Sequence, residues 1–171
     1  ALDRYRKAVA AGPNSYDARI SLARGLTFDD KTVAEAETQA VEARRIDPGR
    51  TGAWSLLAGL YAHARRWPEL DALLVEARAE LGHRTVEYSA ARQMVVDKSD
   101  AQRAEKLLRE YLTVEPEPGA PKKAHAHWRL GLALEQQNRG SEAVAELEQA
   151  VKLDPELDPA KKDLKRMRKQ S

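Results

Sequence analysis

The sequence predicts an all-α fold, a solenoid of paired helices, from three observations: a period of 34 residues, apolar residues at helical spacing within each period, and turn chemistry where each helix should end. Proline follows an acidic residue at the close of three alanine-rich or leucine-rich runs, RRIDPGR at Pro48, LTVEPEP at Pro116 and VKLDPEL at Pro155. Pro48 and Pro116 are 68 residues apart, twice 34, and Gly82 stands midway at the same kind of helix stop. Pro116 and Pro155 are 39 apart, which is 34 with five inserted, and GAPKK at 119–123 supplies the insertion. Stacked helical units with such a period bury their apolar faces only against their neighbours.

On this period the chain divides into a lone second helix (1–16), repeats at 17–50, 51–84 and 85–118, an insertion (119–123), a repeat at 124–157 and a terminal helix (158–171). The fourth place of each repeat holds Ile20, Trp54, Tyr88 or His127, the seventh Ala23, Leu57, Ala91 or Leu130, and the eleventh Thr27, Tyr61, Val95 or Leu134. Steps of three and four put them on one face of a first helix. A second helix carries Ala36, Leu70, Ala104 and Ala143 at place twenty, Ala40, Leu74, Leu108 and Leu147 at twenty-four, and Ala43, Ala77, Tyr111 and Ala150 at twenty-seven. Its small residues permit close helix approach.

Local punctuation agrees. Thr32 with Glu35, and Ser99 with Gln102, have capping-box spacing. Pro68 suits a first helical turn, where no amide donor is needed. Asn138–Gly140 reads as a turn with Ser141 as the next N-cap, and Asp158 with Pro159 as the start of a final helix.

The pattern resembles the tetratricopeptide repeat, most closely in Trp54, Leu57, Ala58, Tyr61, Ala77 and Gly82 of the second unit and Leu130, Gly131, Leu134, Ala143, Ala150 and Pro155 of the fourth. It departs from that family at place eight, where Arg24 and Arg92 stand for a small residue; each must lay its stem across the groove and keep its head in water. The resemblance implies a right-handed superhelix. Residues 1–13, with Ala1, Tyr5, Ala8 and Pro13 in register, resemble a second helix lacking its partner, so we expect more repeats or an anchor before Ala1. The terminal helix, with Leu164 and Met167 three apart, would cap the last repeat.

Composition excludes much chemistry. There is no cysteine, hence no disulfide, thiolate nucleophile or cysteine metal site. His125 and His127 point about 200° apart on a helix and cannot clamp one ion, since paired helical ligands are spaced three or four apart. No phosphate-cradling glycine loop or activated serine pattern occurs, so we expect neither a catalytic residue nor a cofactor. No apolar run is long enough for a membrane span. The net charge of +2 argues against nucleic-acid binding by the whole chain, although the tail from Lys161 carries +5 and the rest −3. Cytoplasm and bacterial periplasm both fit; the arginine-rich and alanine-rich style is bacterial.

The resemblance further implies a concave groove lined by places two, five, six, nine, twelve and thirteen of each first helix. It would contain Ser21, Leu22 and Gly25, then Ser55, Leu56, Gly59, Ala62 and His63, then Ser89, Ala90, Gln93, Val96 and Asp97, then His125, Trp128, Arg129, Leu132, Glu135 and Gln136. Arg129 is the one cation among them, which disfavours a clamp for a partner's terminal carboxylate. The expected ligand is a protein segment, apolar or amphipathic, anchored at Trp128, Leu132 and Leu56, with no small-molecule substrate. The same leucines and Trp128 read equally well as packing between repeats. Two further readings stay open: an arm of a larger enzyme, and a basic C-terminal helix touching nucleic acid or an anionic membrane.

Overall fold

Periodicity of this kind must end in helices, and the computed structural model, which describes residues 2–169, contains ten of them and no strand among those residues. They are α1 (Leu2–Ala11), α2 (Tyr16–Leu26), α3 (Val33–Ile46), α4 (Thr51–His63), α5 (Trp67–Leu81), α6 (Thr85–Asp97), α7 (Ala101–Leu112), α8 (Lys123–Gln136), α9 (Gly140–Leu153) and α10 (Asp158–Arg168). A single 3₁₀ turn, Asp30–Thr32, precedes α3. The fold is all-α, of the helical-solenoid class. Ala1 and the last two residues of the expected terminal helix lie outside the described residues.

The helices fall into two units, one ending at Gly82 and one beginning at His83. In the first, α1 packs on α2, α2 on α3, α3 on α4 and α4 on α5. Leu22, Leu26, Ala36 and Leu60 form one core there, with half-buried Leu2, Tyr5 and Val9 of α1 laid against it. Ala8, expected at a close contact, is exposed, because α1 presents Leu2, Tyr5 and Val9 instead. In the second unit α6 packs on α7, α7 on α8, α8 on α9 and α9 on α10. Its core includes Ala91, Ala104, Leu108, Tyr111, Leu130, Leu134, Ala143, Leu147 and Ala150, none exposed to solvent.

Helix ends show where local patterns lose to closer competitors. Thr32 makes no cap hydrogen bond; its hydroxyl donates to the carbonyls of Leu26 (2.6 Å) and Asp29 (2.9 Å), and Asp29 instead accepts from the Lys31 amide. Ser99 is likewise displaced by Asp100, whose carboxylate accepts from the Arg103 amide at 2.9 Å. Ser141 lies inside α9, which starts at Gly140, and α10 starts at Asp158 rather than after it. Pro68 does occupy the first turn of α5, and Gly82 ends that helix at φ 72°. Arg65, Lys98 and Asn138 take positive φ of 56°, 50° and 60° in the turns after α4, α6 and α8. Arg24 and Arg92 are exposed, as their heads require.

One cap comes from far along the chain. The N-cap of α4, Arg50, makes no side-chain bond, and the buried Tyr16 hydroxyl accepts from the Ala53 amide at 2.8 Å. Arg50 in turn lies over the Tyr16 ring at 3.9 Å. Gly52 keeps the approach open, since a Cβ there would stand 2.8 Å from that hydroxyl. Tyr16→Phe leaves a buried first-turn amide without its acceptor, so a loss of about 1–2 kcal/mol is expected in urea denaturation. An unchanged midpoint would show that water replaces the hydroxyl.

Candidate partner-binding groove

The first unit divides its expected groove residues sharply. Leu22, 2% exposed, is core rather than groove, because α1 covers that side of α2. Gly25 faces α1 as well: a Cβ there would meet Leu2 at 2.9 Å and Tyr5 at 3.4 Å. Leu56 packs against two hydrophobic clusters of the unit, and Ala62 is fully buried. Trp54 is 4% exposed, with its indole N–H on the Pro48 carbonyl at 2.7 Å and the Arg44 guanidinium 4.6 Å from its ring. What remains open on α4 is half-exposed Ser55, Gly59 and exposed His63. A Cβ added to Gly59 would meet nothing within 4 Å.

In the second unit, Ala90 is fully buried, whereas Ser89 and Gln93 are half-buried and Val96 is 57% exposed. Ser89 donates to the Thr85 carbonyl and Gln93 to Asp97. On α8, Leu132 is half-exposed. Trp128 donates from its indole to Asp163 of α10 at 2.8 Å and packs against Ala124, Ala150, Leu157 and Ala160. The Arg129 guanidinium lies 4.0 Å over the Trp128 ring. Burial lowers the Arg129 pKa, opposed by Tyr88 and aided by the like charge of Arg92. Glu135 pairs with Arg166 of α10, and Gln136 donates to the Val95 carbonyl at 2.8 Å.

Behind this face the Tyr88 and Tyr111 rings meet at 5.2 Å, and the Tyr111 hydroxyl donates to the Pro121 carbonyl at 2.6 Å, holding the inserted loop. Burial, then the charges of Glu117 and Tyr88, push the Tyr111 phenol up to about 12 from an ordinary 10.0. A raised value in the folded state means that the contribution is intact below pH 10 and is lost as the pH climbs through about 12. The urea midpoint should therefore fall over that window. Tyr111→Phe should flatten the fall while costing about 1 kcal/mol at neutral pH. An equal fall in both proteins would assign the alkaline loss to other groups.

Two of the four histidines pair with carboxylates of the scaffold. The Nδ1 of His127 is 2.6 Å from Glu146, and that of His83 is 3.2 Å from Glu117, while Thr85 donates to the same carboxylate. No group of three metal-ligating side chains occurs among the described residues, and no helix there is long and apolar enough to cross a membrane.

Sequence reasoning did not find α10 on this face. Counting 34 residues on from Ala124 reaches Asp158, the first residue of α10, so Lys162, Asp163, Arg166 and Lys169 occupy places five, six, nine and twelve of a further first helix. The period itself carried that signal.

Helices paired on a fixed repeat, with small residues at each crossing and a residual open face, define a helical-repeat protein. Residues 95–158 match the tetratricopeptide-repeat family. No curated protein sequence matches. Among solved structures, yeast Tom70 is 21% identical with a TM-score of 0.78, the match covering 99% of this chain and 35% of that one. The human IFIT1 dimer with PPP-AAAA is 20% identical, covering 99% and 41%, with a TM-score of 0.64. PilF of Pseudomonas aeruginosa is 19% identical, covering 89% and 67%, with a TM-score of 0.63. These likenesses show the fold. The matched parts are about a third of the Tom70 chain and two fifths of the IFIT1 chain.

Proposed function

We propose that this chain is a scaffold or adaptor module that holds a segment of a partner protein on the open faces of its first helices, without catalysing a reaction. The protein-interaction role follows from the tetratricopeptide fold; the groove and its residues are our reading. Gly59 carries it. Glycine inside a helix costs about 0.5–1 kcal/mol relative to alanine, and natural helices tolerate it where packing leaves no room for a Cβ. Gly25, Gly52 and Gly131 have that reason, each with an atom within 3 Å of the added Cβ. Gly59 has open space above it, on the face that also presents Ser55 and His63. A surface kept clear at a cost in stability is suited to a ligand that needs close approach to the backbone.

The candidate residues are Ser55, Gly59 and His63 on the open face of the first unit and, on that of the second taken by itself, Ser89, Gln93, Val96, Arg129 and Leu132. Trp128 and Leu56 contribute through packing. The test is affinity capture with the intact chain and with Gly59→Arg and Leu132→Glu variants. Partner recovery should be lost while circular dichroism is unchanged; undiminished recovery by both variants overturns the groove.

A further inference from the structure

The six basic residues of the terminal segment divide by what they do. Lys161 pairs with Asp158 at 2.7 Å, Arg168 with Glu148 at 2.6 Å, and Arg166 with both Glu135 and Asp163. Lys162, Lys165 and Lys169 form no ion pair among the described residues and are exposed. Their steps of three and four put Lys162 and Lys165 on one face of α10, continued by Lys169 at its C-cap, opposite the buried Ala160, Leu164 and Met167. With Arg166 they form an open basic surface. Like charges at this spacing weaken a helix. The helix C-terminus favours cations in its last turn, which accounts for Lys165 but not for Lys162, a full turn earlier.

We propose that this basic surface takes an acidic segment of the partner protein, running from Lys162, Lys165 and Lys169 along α8 past Arg129. This rests on the groove reading and names the partner's chemistry. Three features favour a protein segment with several carboxylates. First, the lysines spread over about 10 Å of helix, too far to converge on one carboxylate, so side-chain carboxylates along a segment match them and a lone chain end does not. Second, Asp163 and Glu135 interrupt the cations, which suits separated charges better than a continuous phosphate chain. Third, α8 carries buried polar atoms without hydrogen-bond partners at His125 Nδ1, Arg129 Nε and Gln136 Oε1. Their steps of four and seven set them on one stripe, and they include both a donor and an acceptor. A peptide backbone offers both complements, whereas a phosphodiester has no donor for Gln136 Oε1. The ring of Trp128, the aromatic side chain of this stretch, already carries Arg129 on one face and is not free to stack a base.

Fluorescence anisotropy on the full chain tests this with a labelled, C-terminally amidated peptide of glutamates spaced by leucines, the same peptide with glutamine for glutamate, and a deoxythymidine oligonucleotide. The glutamate peptide should bind at least about tenfold more tightly than the glutamine peptide, with an affinity that falls as salt rises. Lys162→Glu with Lys165→Glu and Lys169→Glu should erase the difference. Should that triple variant fail to fold by circular dichroism, Lys162→Gln alone should reduce it. Equal binding of the two peptides, no binding of either, tighter binding of the oligonucleotide, or indifference to the lysine changes each overturns the proposal. If Leu132→Glu weakens both peptides while the lysine changes weaken neither, the groove stands and the acidic preference falls. If the lysine changes act and Leu132→Glu does not, the groove reading is what fails.

Discussion

Replacing Gly131 with valine is expected to cost the second unit about 3 kcal/mol, read as a lowered urea midpoint at constant slope. Gly131 sits in the middle of α8, fully within the crossing with α9. A Cβ there would stand 2.9 Å from Cγ of Leu147 and 3.1 Å from the carbonyl oxygen of Ala143. The leucine can turn only into a filled core, and the carbonyl belongs to the helix backbone. Overpacking of this kind costs about 1–3 kcal/mol, and the two γ-methyls of valine take it to the upper end. Gly131→Ala should cost less, since about 1 kcal/mol of helix propensity is regained. The contrasting substitution is Gly59→Ala, where nothing lies within 4 Å and a gain of about 0.5–1 kcal/mol is expected. A Gly131→Val protein as stable as the parent would mean that α8 and α9 can separate without loss.

That pair of glycines shows what the sequence carried. Place eight of the repeat demands a small residue, and Gly131 meets that demand; the period alone placed it. Helix existence, helix order and the buried alanines at places twenty and twenty-seven were legible for the same reason, because one pattern recurs in register. Features that depend on a residue far along the chain were not. Tyr16 caps α4 across 37 positions, and Trp128 reaches Asp163 across 35, with no local signal at either end. The capping boxes failed differently: the Thr32 hydroxyl donates to the Leu26 and Asp29 carbonyls instead, and the Asp100 carboxylate takes the cap beside Ser99. Groove membership was the least legible. A helix turned by one residue exchanges an open face for a buried one, and Leu22, Ala62 and Ala90 fell on the wrong side of that turn.

Trp128 tests that distinction between a docking anchor and a packing residue. Trp128→Ala is expected to lower stability by about 2–3 kcal/mol and to release α10. Truncating a buried tryptophan costs about 3–5 kcal/mol, and the partial exposure of this one places it below that range. Its ring rests on Ala124, Ala150, Leu157 and Ala160, which join α8, α9 and the start of α10, and its N–H holds Asp163 at 2.8 Å. Trp128→Phe keeps the contact and loses the bond, so about 1 kcal/mol is expected. Amide hydrogen exchange separates the readings: α10 amides should lose protection in Trp128→Ala while those of α6 and α7 keep most of theirs. Full protection of α10 would return the indole to the partner surface. Because α10 also carries the unpaired lysines, Trp128→Ala weakens binding by either route and identifies neither. Leu132→Glu, on the same helix with α10 left in place, separates contact from support.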